Sequence, residues 1–222
     1  MSTKPKPEAL PVGDEADVKK CFNKKERDVY IEVWDPKDTV HSDQTGKFPV
    51  RSRKGNNYMM IMCQVDSDAA LVEPMKNRSA KEMIRAYLAL IERLRRAGFA
   101  PKKHILDNEC SEELKEVIRE RCKLQLVPPG SHRANLAEVT IKAWKQHFVS
   151  ILAGTAPDFP RSFWDELVPQ ASLTLNLLRQ SNATPTVSAH AHLCGQHDYN
   201  AQPLKPMGQS AEVHVKRDNG KS

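Results

Sequence analysis

The chain has 222 residues, 39% of them apolar and 28% charged, with 15 Pro, 9 Gly and a formal net charge of +6. That balance suits a folded domain with a real core and excludes collagen-like, coiled-coil and wholly disordered chains. Apolar runs such as Tyr58–Cys63 and Phe148–Ala156 are too short to span a bilayer. The N-terminal stretch reads as one without a signal peptide, and the 5 scattered cysteines read as reduced thiols of an intracellular protein.

The positive charge is concentrated. Residues 41–106 hold 13 Lys or Arg against 6 Asp or Glu, and the flanking stretches are close to balance. Lys47, Arg51, Arg53 and Lys54 cluster early in this segment, and Arg93, Arg95 and Arg96 close a later helix. Such a face attracts a polyanion, or it is a solvated helix end beside an edge hairpin that carries charge against aggregation.

In chain order, residues 1–28 are rich in Lys, Glu, Asp and Pro and read as a mobile lead-in. Order is expected from Val29, in a core running over 29–160. Thr39–Val50 reads as extended, Lys54-Gly55-Asn56 as a hairpin turn, and Tyr58–Val65 and Ala69–Met75 as strands joined at Asp66-Ser67-Asp68. The unbroken run Tyr-Met-Met-Ile-Met-Cys fits a central strand buried on both faces.

The period then changes. Ser79 with Glu82 forms a capping-box pattern, Met83, Ala86, Tyr87, Leu90 and Leu94 follow at helical spacing, and Gly98 is the stop. His104–Leu106 is a short strand, Ser111–Arg121 a helix, and Leu124–Val127 a strand ended by two prolines. Asn135 to Leu152 is a long helix with Ala137, Ile141, Trp144, Phe148 and Ile151 on one stripe. Residues 161–222 form a helical extension and tail packed on the core, with a helix over Ser162–Arg179, a short one over Ser188–Gly195 and a last strand at Ala211–Val215. Three antiparallel strands followed by helix, strand, helix, strand, helix make an α/β order with a mixed sheet, the pattern of a ribonuclease H-like core.

In such a core, phosphodiester chemistry needs acidic side chains that converge on hard divalent cations. Asp43 in the first strand, Asp107 at the end of the fourth and Glu138 in the first turn of the long helix are the candidates. Each also has a local explanation: Asp43 as a turn residue before Thr45-Gly46, Asp107 as the start of the next turn, Glu138 as the capping partner of Asn135. The combination is more specific than its parts. Lys142 and Lys145 follow Glu138 at i+4 and i+7, opposite the apolar stripe, where they suit phosphate or make an ordinary exposed Glu–Lys pair. Arg133 lies in the Gly-containing loop 128–134, a plausible substrate clamp.

These residues resemble the catalytic core of retrotransposon and retroviral integrases. The resemblance runs through Asp43-Gln44-Thr45-Gly46, Leu106-Asp107-Asn108-Glu109 and Val127-Pro128-Pro129 to His132-Arg133-Ala134-Asn135-Leu136-Ala137-Glu138. It continues through Phe159-Pro160, Trp164, Leu173–Arg179 and Thr184-Pro185 to Leu193-Cys194-Gly195, and so covers roughly 39–215. It implies a D,D-E triad of Asp43, Asp107 and Glu138 holding two Mg²⁺ or Mn²⁺ ions. The implied activity is that of a polynucleotidyl transferase: metal-dependent trimming of the 3′ ends of element DNA, then strand transfer into target DNA. Arg133, Lys142 and Lys145, and after them Arg51, Arg53 and Lys54, would contact the DNA backbone.

The partners so implied are double-stranded DNA and further copies of the chain, with no membrane; the location is intracellular, in the nucleus or a virus-like particle if the host is eukaryotic. Asp107 and Glu138 are closer in sequence than is usual in the family, and Val139 stands where a basic residue is common. No His-His-Cys-Cys module precedes the core, and His190, His192, Cys194 and His197 lack the spacing of a zinc finger. The chain therefore reads as a polyprotein fragment. The alternatives are an inactive DNA-binding or assembly remnant and a hydrolytic ribonuclease H-like nuclease.

Overall fold

The structure is a computed structural model that describes residues 37–107, 110–127, 136–206 and 212. The lead-in 1–28, the start of order at Val29, the loop carrying Arg133 and most of the strand expected at 211–215 lie outside the described residues. Strands β1 (Thr39–Gln44), β2 (Tyr58–Gln64), β3 (Ala69–Met75), β4 (Lys103–Asp107) and β5 (Lys123–Val127) form one sheet in the order β3-β2-β1-β4-β5. β1, β2 and β3 pair antiparallel, whereas β4 runs parallel to β1 and β5 parallel to β4. Parallel neighbours need a crossover, and helices α1 (Ala80–Arg96) and α2 (Glu112–Arg119) supply it.

The start and stop signals work as their chemistry requires, with one change. Ser79 Oγ accepts the Glu82 N–H, but the Glu82 carboxylate turns to the Lys76 N–H at 3.1 Å and to Arg85 instead of back to Ser79. At the other end Gly98 sits at φ +83, and the pair Phe99 N–H to Leu94 O and Gly98 N–H to Arg95 O closes a Schellman motif.

The two faces of the sheet are covered by different layers. Met60 and Met62 of β2 point into a core with Tyr87, Leu90 and Leu94 of α1 and with Leu114 and Ile118 of α2. Met59 and Ile61 point to the opposite face, onto Ile141, Trp144 and Phe148 of α3 (Leu136–Ala153). The central strand is thus buried on both sides, as its unalternating sequence demands.

One expected helix is two elements. Arg161–Leu167 is a 3₁₀ helix, and α4 begins anew at Val168–Leu178; α5 (Ala189–Cys194) follows. Pro169 is the cause: it has no N–H for an α-helical bond and its ring crowds the carbonyl four residues back, so it is tolerated only in a first turn. The expected extended stretch Thr39–Val50 likewise leaves the sheet after Gln44. Thr45 still exchanges two bonds with Met59, after which the chain turns to stack Phe48 on Trp164.

The outer edge at β3 is closed by side chains. Asn176 of α4 both donates to and accepts from the Ala70 backbone, Arg93 donates to Val72 O, and Arg85 donates to Pro74 O. These groups occupy positions that a further strand would need. Among the described residues no helix is long and apolar enough to cross a membrane.

Candidate active site

Asp43 stands at the last turn of the pleat in β1. Its antiparallel partner is Ile61, which belongs to the face under α3, so the Asp43 side chain shares that face. In the parallel pairing Ser42 lies against Leu106, and the next step along both strands brings Asp107 beside Asp43 at the same end and on the same face. Glu138 belongs to the first turn of α3, which is seated on this face by Ala137, Ile141, Trp144 and Phe148. Three acids from two adjacent strands and one helix thus meet one face of the sheet at one end.

Their charges reach one another. Burial pushes the Asp43 carboxyl above the ordinary aspartate range, and the negative charges of Asp107 and Glu138 push the same way. The Gln44 N–H, which donates to Asp43 Oδ1 at 2.7 Å, and the Arg78 guanidinium act in the opposite direction. A cleft of about 360 Å³ opens here, lined by Asp43, Gln44, Glu138, Ile141, Lys142, Lys145 and Gln146. Lys142 and Lys145 are exposed on the Glu138 side of α3, as the helical spacing predicts.

Asp107 is not part of that lining. Among the described residues no three His, Cys, Asp or Glu side chains gather closely enough to hold one ion. The donors are hard oxygens on one face of the sheet, and among the described residues they do not form a closed ligand set. Both Asp107 and Glu138 adjoin segments outside the described residues, 108–109 and 128–135.

The basic segment between β1 and β2 is not a projecting hairpin tip. It is fastened to the 3₁₀ helix by buried Asp165, whose Oδ2 accepts from Ser52 Oγ and Asn56 Nδ2, each at 2.7 Å. Trp164 Nε1 donates to Val50 O, and the Arg53 N–H to Ser162 O. Lys54 is ion-paired with Glu166 at 2.7 Å, the Arg53 guanidinium lies 5.3 Å from the Phe163 ring centroid, and Arg51 packs over Gly55, which needs its φ of +89 for the turn. Near the chain end, His192 shares a hydrogen bond with Ser181 and the His190 ring contacts His197.

The residue the sequence reading missed is Arg78. It reaches Thr45 O at 2.9 Å and lies 5.2 Å from the Tyr58 ring centroid. In the sequence it is one more cation before a helix N-cap, and nothing local signals that the fold carries it to the end of β1.

The sheet order and flanking helices define the ribonuclease H-like fold. No protein-family model matches the sequence, and no curated protein matches it at the sequence level. Among the solved structures that this chain resembles are retroviral integrases. One is a chain of the simian T-cell lymphotropic virus intasome, solved in complex with PP2A regulatory subunit B56 gamma (TM-score 0.57, 17% identity, 81% of this chain and 60% of that one). Two others are the HTLV-2 integrase catalytic core domain in complex with magnesium. The trimeric form matches with TM-score 0.52 and 22% identity over 70% of this chain and 95% of that one. The dimeric form matches with TM-score 0.50 and 23% identity over 70% and 96%. The likeness is one of fold, and this chain spans 60% of the length of the intasome chain.

Proposed function

We propose that this chain is the catalytic core of a retroelement integrase, which trims 3′ ends of element DNA and joins them to target DNA. One observation carries the reading: Asp43, Asp107 and Glu138 share a face and an end of the sheet, near enough that the last two raise the carboxyl of the first. Self-repelling carboxylates are relieved by a hard divalent cation, which prefers oxygen ligands. Asp43, Asp107 and Glu138 would hold Mg²⁺ or Mn²⁺, and a pair of such ions would activate the attacking oxygen and stabilise the leaving one.

The rest of the work falls to the chain itself. Lys142 and Lys145 reach into the cleft from the same helix surface as Glu138 and hold backbone phosphate there, which positions the duplex without reading its sequence. Arg133, Arg51 and Arg53 extend this contact, and Lys54 joins it only by giving up Glu166. The partners are DNA and further copies of the chain, and the working location is intracellular, in a eukaryotic host the nucleus or a virus-like particle.

A second reading, an inactive DNA-binding or assembly remnant, is favoured by the looseness of the three acids and by Val139, 62% exposed beside Glu138 where a cation would serve DNA better. A labelled oligonucleotide duplex with a Mg²⁺ or Mn²⁺ titration separates the possibilities. Nicked and joined products from the wild type, lost in Glu138→Gln and in Asp107→Asn, are the expected result. Nicks without joining indicate a hydrolytic nuclease. Binding without cleavage, unchanged by either substitution, overturns the enzyme reading in favour of the remnant.

A further inference from the structure

Resting on that reading of the site as one that takes DNA, we infer that Arg78 is a phosphate-contacting residue, gripping the duplex from the layer opposite Lys142 and Lys145. The two lysines come from α3. Arg78 comes from the connection between β3 and α1, and the ring it covers, Tyr58, packs against the core under α1. Its anchor, Thr45 O, is two residues beyond Asp43. Cations therefore reach the end of β1 from both helical layers, and a duplex laid across that end meets both.

The head group is held but not consumed. One Nη donates to Thr45 O, and the ring of Tyr58 takes the flat face of the guanidinium. A guanidinium carries several N–H donors in a planar fork, so these two contacts leave an edge for a bidentate phosphate. Neighbouring cations are engaged differently. Arg85 is bound to Glu73 and Glu82, Arg93 to Glu73, and Lys54 to Glu166. Among the described residues no carboxylate forms an ion pair with Arg78, and the residue is exposed.

Holding the head in advance removes most of the rotamer entropy that an arginine otherwise loses on binding.

The test uses the 222-residue chain and a fluorescent duplex, with binding followed by anisotropy over a salt series without divalent metal. Arg78→Ala is expected to weaken binding several-fold, equally for unrelated sequences, and to lower the slope of log affinity against log salt by about one. Arg78→Lys keeps the charge and should restore the slope. Arg95→Ala, at the far end of α1, should match the wild type, and thermal melting of each variant separates lost contact from lost fold. An Arg78→Ala slope equal to wild type overturns the inference. Cleavage by the wild type with Arg78→Ala indistinguishable in binding removes Arg78 alone. The predicted slope change without any metal-dependent cleavage keeps Arg78 and removes the enzyme reading. A wild type that does not bind the duplex overturns both.

Discussion

The core under α1 and α2 is made largely of aliphatic and thioether side chains, Met60, Met62, Leu90 and Leu94 among them, and it admits polar groups into its interior. His104 is fully buried there, its Nε2 sharing a 2.7 Å hydrogen bond with Ser42 and its ring stacked on Tyr87. The core under α3 and α4 is organised by aromatic rings. Phe48 stacks on Trp164 at 4.3 Å, Trp144 on Phe148 at 4.6 Å, and Phe148 bridges the two pairs edge-on. These rings come from the loop after β1, the 3₁₀ helix and α3, so they join the elements that carry Asp43 and Glu138. One face lies away from the acids and supplies stability. The other sets the distance between two halves of the proposed site.

The largest effects should expose that difference. Trp164→Ala and Met60→Ala each remove a buried side chain, at about 3–5 and about 2–5 kcal/mol by denaturant unfolding. Compared at equal residual stability, the aromatic-face variant should lose far more DNA cleavage. Equal losses would break the comparison.

The opposite face should instead reveal itself in acid. Burial, helped by the charge of His41, pushes the His104 pKa down to about 3 from an ordinary 6.5, so the unfolded chain takes the proton first. Its contribution is present above pH 6.5 and lost as pH falls toward 3, by about 1.4 kcal/mol per pH unit. Urea midpoints measured from neutral pH downward should show this slope in the wild type and much less of it in His104→Asn.

A smaller, local effect is expected at the fastening of the basic loop. Asp165→Ala strands the Ser52 and Asn56 donors, at about 1–3 kcal/mol, and amide exchange should quicken at Gly55 and Asn56 before the sheet responds. The smallest effect is a gain. Because the folded state raises the Asp43 carboxyl, its ionisation costs stability: the contribution is favourable below about pH 3.8 and is lost as pH rises through the raised value. Without divalent metal, Asp43→Asn should therefore melt slightly above the wild type at neutral pH.

Much of this was legible in the sequence, and the exceptions have a common cause. The β2 run, the Gly98 stop and the α3 stripe are local patterns, and each appears as read. Pro169 is local too, and it divides the stretch that helical spacing joins into one helix. The pairing of Lys54 with Glu166 and of Ser52 with Asp165 joins residues more than a hundred positions apart, and no periodicity reports such partners. Arg78 was hidden for the same reason. The shared face of the acids follows from strand order, whereas their separation depends on side-chain positions that spacing does not encode.

The central claim is that Asp43, Asp107 and Glu138 can draw together around divalent cations. Thermal unfolding across a Mg²⁺ and a Mn²⁺ titration tests it directly, since an ion that binds only the folded chain raises the melting temperature with concentration. The wild type should show that rise, and Asp43→Asn, Asp107→Asn and Glu138→Gln should each lose it. A wild-type melting temperature indifferent to both metals, or a rise that survives all three substitutions, would contradict the account.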